Sequence, residues 1–475
     1  MYKIAKRVLA GSLCLKTLEY FKDNKSTLKR KYFKAKSGLL SSGHDDVEKS
    51  FDKSNNVDDI DGDKTTAYNF NETDGDKITV HNFIQGRLGN CGMVSSMSTL
   101  ATNKHLYDKV VPAGQNFKKD ILYHFYKLLG FESNVAFNLY KAGKLHRVEV
   151  DKNLPTGENG LTYCRSSNDN FVGPLLEKAL VKLHFGGNYH LANGVPVTLV
   201  LSSLSNYFFE DFPAFSKNIS RVIEHGLKTK SQMVVSVKET DAESHAYAVV
   251  GKTNENIVRV YDPYGEILSV DKNFLLESLS AFHICYFDNK IYGMPEIKSF
   301  VEITSNWPVF KKNNEIHYAH YDLHVEEDDT EVLVNVIAKH DDKVIKQIFV
   351  VDATDVVKSS SVVTNQTDIY YKKALRENLK RGKYKVVVVL GSWLRLKSSD
   401  QCRSYLRRGG EEFLFRLAAS KQCRVVEKST EEGREKIEGA LDSWDYRILF
   451  KAIFSKQCFV KIYKSLIKSD LTWWL

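Results

Sequence analysis

The 475-residue sequence contains no Cys-x-x-Cys pair: Cys14, Cys91, Cys164, Cys285, Cys402, Cys423 and Cys458 are scattered and odd in number. Their spacing excludes a clustered-thiolate zinc site and a dense disulfide framework. A reducing compartment fits best, and a free thiol survives there. No long apolar run stands near the start either. Val8–Leu15, behind Lys3, Lys6 and Arg7, is too short to span a bilayer and has no convincing cleavage site, so cytoplasmic residence is expected. Charge of neither sign dominates: 68 Lys and Arg face 59 Asp and Glu, a net +9. The basic runs Lys29-Arg30-Lys31 and Arg403–Arg408 do not interleave with aromatics on a readable strand, which argues against nucleic acid. They leave a weak, salt-sensitive attraction to an anionic membrane surface. Residues 422–475 lack an Asp-x-Asp-x-Asp-Gly calcium loop.

A hydrophobic content of 43% and a charged content of 27% are ordinary for a globular chain, and the length suits about three domains. The most informative stretch is Gln85-Gly86-Arg87-Leu88-Gly89-Asn90-Cys91. Met93, Val94, Met97 and Leu100 follow at helical spacing, which predicts a helix with one buried face and Cys91 at its start. A thiol there sits at the positive end of the helix dipole, which favours the nucleophilic thiolate. Gln85 has the donor chemistry to hold an oxyanion beside it.

A second segment, Ser244-His245-Ala246-Tyr247-Ala248-Val249-Val250-Gly251, reads as a strand. Ile257–Tyr261 is its returning partner, ended by Asp262-Pro263-Tyr264-Gly265. A four-residue loop over Lys252–Glu255 would set His245 directly opposite Asp262, with Cβ atoms about 5 Å apart. An imidazole fixed by a carboxylate is the base that a nucleophilic cysteine needs.

Gln85–Ala101 resembles the active-site segment of calpain-family cysteine proteases. His245-Ala246-Tyr247 and Asp262-Pro263-Tyr264-Gly265 resemble that family's His and Asn motifs, in the same order. Between them, Phe171–Leu180 resembles its Leu-Leu-Glu-Lys-Ala helix and Phe209–Phe212 a further marker. Arg376–Tyr384 and Gly410–Leu417 resemble the end of its β-sandwich domain. The resemblance implies a catalytic set of Cys91, His245, Asp262 and Gln85. It also implies an α+β multidomain fold, in which a papain-like two-lobe protease core is followed by a C2-like antiparallel β-sandwich.

Departures from the family are specific. Gly92 stands where Trp usually follows the nucleophile, Asp262 replaces Asn, and Tyr264 replaces the Trp that shields the triad. Ile267–Val270 runs almost directly into Phe274–Leu276, so the acidic insert of the family's second calcium site is missing, and Asn170 stands where Glu is usual. Weak or absent calcium dependence is therefore expected, with no cofactor required and no metal ligands assigned.

The expected layout is a partly disordered leader over 1–77 and a mostly helical lobe with the Cys over 78–195. A mixed lobe with His and Asp follows over 196–296, then the sandwich over 297–421 and a helical tail over 422–475. In the leader, Asp61-Gly62-Asp63-Lys64 recurs as Asp74-Gly75-Asp76-Lys77, read as paired turns. The expected function is limited endoproteolysis of intracellular protein substrates, with no obvious small-subunit partner. Two alternatives remain at this point: a catalytically impaired calpain-like adaptor, and a transglutaminase-like acyl transferase using a Cys-His-Asp triad.

Overall fold

The computed structural model describes residues 79–117, 134–157, 160–167, 170–238, 244–306, 318–338, 346–364, 369–371, 374–390, 412–428 and 440–441. The leader 1–77, the basic runs, the acidic repeat and nearly all of the expected tail lie outside these residues.

The first lobe packs around α1 (Cys91–Ser98), α2 (Lys104–Val110), α3 (Val172–Phe185) and α4 (Val197–Leu204). It also holds a hairpin, β1 (Asn134–Lys141) with β2 (Lys144–Asp151), which the mostly helical expectation omits. The chain reverses at Ala142 and Gly143, both at positive φ, which is the backbone of a tight two-residue turn. Met93, Met97, Phe137, Leu139, Leu176 and Leu180 close one core. The helix α1 departs from the one-faced expectation, because every residue from Gly92 to Ser98 is buried. Its serines meet that burial locally: Ser96 Oγ donates to Gly92 O at 2.7 Å and Ser98 Oγ to Val94 O at 2.8 Å.

The second lobe is a six-stranded antiparallel sheet. Its strands are β3 (Phe209–Pro213), β4 (Gln232–Lys238), β5 (Ser244–Lys252), β6 (Ile257–Asp262), β7 (Glu266–Asp271) and β8 (Leu279–Cys285). Their order is β3-β8-β4-β5-β6-β7, with α5 (Ile219–Thr229) and α6 (Lys272–Ser278) packed on it. Val234, Val235, Val249, Val260, Phe282 and Ile284 fill the core beneath.

Two further sheets follow. One orders β9 (Ser299–Asn306), β16 (Glu412–Ala419), β11 (Thr330–Ala338) and β14 (Ala374–Leu379). The other orders β13 (Val357–Ser360), β12 (Lys346–Asp352), β15 (Gly382–Leu390), β10 (Tyr318–Val325) and β17 (Cys423–Lys428). Tyr321, Leu323, Val386 and Val388 of one sheet share a core with Val334, Val336, Phe413 and Phe415 of the other, so the sheets form a sandwich. Residues Cys423–Lys428 correct the tail's expected start: they pair along β10 as an edge strand instead of forming a helix.

The sandwich is anchored to the second lobe by buried polar groups. Phe209 N donates to Asn335 Oδ1 at 2.9 Å, and Asn335 Nδ2 donates to Phe209 O at 2.8 Å. Arg376 pairs with Glu210 and Glu331, while Tyr286 Oη donates to Glu210 Oε2. The Phe209–Phe212 marker and the first sandwich motif thus meet at one joint. Arg416 lies over the Phe208 ring at 4.7 Å and reaches Glu302 at 3.1 Å.

Candidate active site

Cys91 opens α1 at the junction of the two lobes. Ser95 Oγ, one turn on, donates to Ala246 O at 2.9 Å, tying the nucleophile's helix to the strand that carries His245. Gly92 permits the approach: a Cβ there would lie 2.9 Å from Val195 O and 3.2 Å from Val197 Cγ2. The large ring usual in the family has no room beside this segment.

His245 Nε2 lies 3.1 Å from Asp262 Oδ1. The Cys91 sulfur lies near enough to the imidazole for each group to shift the other's proton affinity, and the other ring nitrogen is the one left to face it. The three side chains therefore meet, though the expected register does not hold. Ala248 pairs with Tyr261 and Val249 with Val260, a bulge follows before Gly251, and Lys252 pairs with Val258. Asp262 is thus offset by two residues from His245. A diagonal pair on one face of a sheet is still within reach of longer side chains, which is how the two meet. The loop is likewise shifted, with Thr253 N donating to Ile257 O at 3.0 Å.

Burial and charge set the proton balance. Burial alone would push the Cys91 thiol up. The hydrogen bond and charge of His245, with backbone contacts at Ala246 and Gly92, hold it below its ordinary value instead. Burial opposes the His245 charge, but Asp262 and Cys91 raise the imidazole to about 9. Asp262 is fully buried, and its Oδ1 also accepts from Tyr264 N at 3.0 Å. The Tyr264 ring lies parallel to His245, 5.4 Å away and 12° tilted, yet is 45% exposed. Tyr247 meets the imidazole edge-on at 4.8 Å.

Gln85 is buried beside this group. Its backbone N–H donates to Pro263 O at 2.7 Å, locking the Gln loop to the Asp262 turn. Its Nε2 donates to Leu88 O at 2.7 Å, leaving a second N–H for an incoming oxygen. Two contributors escaped the sequence reading, Ser95 and the Asn90–Glu177 pair. Both lie inside recognised motifs, but no periodicity marks a tertiary hydrogen bond.

Two lobes that set a helix-borne thiol against a sheet-borne imidazole across their junction define the papain-like class of cysteine proteases. Residues 63–269 match the model of the calpain family cysteine protease. Calpain-12 of Mus musculus is 27% identical over 206 residues, covering 38% of this chain and 26% of that protein. The calpain-2 catalytic subunit of Gallus gallus is 26% identical over 205 residues, 38% of this chain and 28% of its own. Calpain-12 of Homo sapiens is 28% identical over 208 residues, 38% and 26% respectively. The clostridial cysteine protease Cwp84 after propeptide cleavage overlays with a TM-score of 0.22 at 12% identity, over 70% of this chain and 95% of that one, too poorly to bear on the fold. Over the matched stretch the chain is similar to calpain-family cysteine proteases, at a divergent 26% to 28% identity. It spans only 26% to 28% of the length of these relatives.

Proposed function

We propose that this chain is a calpain-like cysteine endopeptidase acting through Cys91, His245 and Asp262. The observation that carries the reading is the buried His245, 3.1 Å from Asp262 and close enough to Cys91 for thiol and imidazole to perturb each other. The Cys91 thiolate attacks a peptide carbonyl carbon. The oxyanion takes the remaining Gln85 N–H and the Cys91 backbone N–H, and losing one such donor costs about 10²–10³ in rate. The imidazolium passes its proton to the leaving amine, breaking the C–N bond and leaving a thioester. His245 then takes a proton from water, whose oxygen attacks the thioester and releases the acid and the thiol. Asp262 holds the ring and favours its charged form.

Limited cleavage of intracellular protein segments is the proposed activity, and the two-sheet domain is proposed as C2-like. The assembled Cys–His–carboxylate set disfavours the adaptor alternative. Among the described residues no helix is long and apolar enough to cross a membrane.

Calcium is proposed to have little or no role, because the residues present do not fit the ion. Asn170 Oδ1 accepts from Val172 N at 3.0 Å, and Asn170 O takes Asn82 Nδ2 at 3.3 Å, so this amide is committed to the turn before α3. Among the described residues no group of three His, Cys, Asp or Glu stands close enough to hold a metal. A hard cation wants six to eight oxygens, several of them charged.

The test is casein cleavage by the purified chain, in calcium and in chelator, with Cys91→Ala and His245→Ala. Loss on the order of 10⁴-fold or more in both variants is expected, with rates in calcium and chelator within about twofold. Labelling by a thiol-reactive epoxide should fall on Cys91 and require His245. Cleavage that survives Cys91→Ala would sink the assignment.

A further inference from the structure

Glu177 is a carboxyl group inside the first lobe, 1% exposed and outside the mechanism above. Its Oε1 accepts from Asn90 Nδ2 at 2.7 Å, and its Oε2 accepts from Cys164 N at 2.9 Å. Asn90 immediately precedes the nucleophile, and its carbonyl takes the first helical bonds of α1, from Met93 N at 2.8 Å and Val94 N at 3.1 Å. Asn90 does not cap α1 with its side chain, whose Nδ2 is turned to Glu177 instead. One buried carboxylate therefore joins three separated pieces of chain: α3, the start of α1 and the segment after residue 161.

We propose that Glu177 is a positioning residue for Cys91, an ionised clamp on the Asn90 amide whose protonation loosens the start of the nucleophile's helix. An ionised carboxylate is acceptor-only and takes both N–H groups. A neutral acid carries an O–H that must itself donate, so one of the two donors loses its oxygen or the Asn90 amide turns over. The second course has a partner ready. Asn90 Oδ1 is buried and unpartnered among the described residues, and it would receive that O–H after the turn. Either way the group next to Cys91 changes its attachment.

The groups facing Glu177 leave its proton uncompensated. They are the buried Cys164 thiol and the Tyr189 hydroxyl, itself without a partner among the described residues, with Tyr163 stacked on Tyr189 at 4.1 Å and Asp151 beyond. The adjacent Lys178 turns away to Asp151 Oδ2 at 2.8 Å. Burial pushes the Glu177 carboxyl up to about 7, against the pull of the bonds from Cys164 N and Asn90. The clamp is therefore present above about pH 7 and lost as pH falls through it. Stability runs the other way. Between the unfolded carboxyl value and about 7 the folded state holds the extra proton, so this group makes the fold less stable as pH rises.

The inference rests on Cys91 being the nucleophile, so its test reads Cys91 directly. Alkylation by iodoacetamide is followed at Cys91 by mass spectrometry from pH 5.5 to 8.5, in the full chain, Glu177→Gln and His245→Ala. The wild-type rate should rise through a step near pH 7. In Glu177→Gln the step should vanish and the rate at pH 8 should fall about tenfold, as small misplacements of a reacting group do. The wild-type melting temperature relative to that of Glu177→Gln should fall between pH 5 and 8, which separates positioning from mere support. Should Glu177→Gln not fold, Asn90→Asp places a second carboxylate beside Glu177 and should move the step to higher pH. Profiles that match the wild type in step and rate, or an unmoved step in Asn90→Asp, overturn the proposal while leaving the protease reading intact. A Cys91 rate indifferent to His245→Ala overturns both.

Discussion

The two halves that meet at Cys91 hold their reactive groups by different means. On the thiol side a short helix is buried almost all round, and its position rests on a few polar contacts: the side-chain bonds of Ser95 to Ala246 and Asn90 to Glu177, and the backbone bond of Gln85 N to Pro263 O in the preceding loop. On the imidazole side a six-stranded sheet over a Val-rich core fixes His245 and Asp262 by strand register. A sheet shares its constraint among many ladder bonds, whereas the helix depends on a few polar contacts and on one absent Cβ. Single substitutions should therefore hurt the thiol side most in stability and the imidazole side most in the pH dependence of catalysis.

The sharpest break of the thiol side is Gly92→Ala. Alanine beats glycine inside a helix by about 1 kcal/mol. Here its Cβ would meet Val195 O at 2.9 Å, and backbone cannot step aside as a flexible side chain does. Overpacking of this kind costs roughly 1–3 kcal/mol, so a lower melting temperature is expected, together with slower labelling of Cys91. A higher melting temperature would mean that helix propensity outweighs the contact, and the account of why no large ring follows the nucleophile would fail.

The imidazole side is probed by Asp262→Asn, which restores the amide usual in the family. The carboxylate and Cys91 together raise His245 to about 9, so the charged pair is present below that value and lost as pH rises through it. Removing the carboxylate charge lowers the imidazole. The alkaline limb of kcat/KM should then move to lower pH by about one unit, with the rate near neutrality kept within about tenfold. The fold's stability should lose its His-linked part at the same lower pH, because a raised imidazole stabilises most when protonated. An alkaline limb that stays in place would show that Asp262 orients the ring without supporting its charge.

These contrasts also explain what could be read in advance. The ordered motifs around Cys91, His245 and Asp262 locate the meeting of the two lobes, since each combines a reactive residue with local turn or strand chemistry. The diagonal offset of His245 and Asp262 was not legible, because the hairpin turns later than a Lys252–Glu255 loop would, with Lys252 itself paired to Val258, and the bulge between Val249 and Gly251 takes back one residue of that shift. The hairpin β1–β2 was hidden inside a helical expectation, since Val135, Ala136 and Phe137 are buried in succession and do not alternate. Glu177 reads from its type as a solvated residue beside Lys178, and only tertiary packing removes it from water. Cys423–Lys428 is short and charged, and its strand state comes from pairing with Tyr318–Val325.

The smallest expected effect lies where the two halves share a wall. Tyr264 covers the His245 face and is itself 45% exposed, so it is a partial screen for the His245–Asp262 bond. Tyr264→Ala opens that bond to water, where its electrostatic strength falls, and kcat should drop several-fold with KM nearly unchanged. Tyr264→Trp offers a larger ring at the same place and should raise kcat by up to a few-fold. Because the ring lies outside the Val-rich core, neither change should move the melting temperature by more than a degree or two. If Tyr264→Ala instead destabilises the fold as much as Gly92→Ala, the imidazole side depends on single contacts too, and the contrast between a register-held base and a contact-held nucleophile collapses.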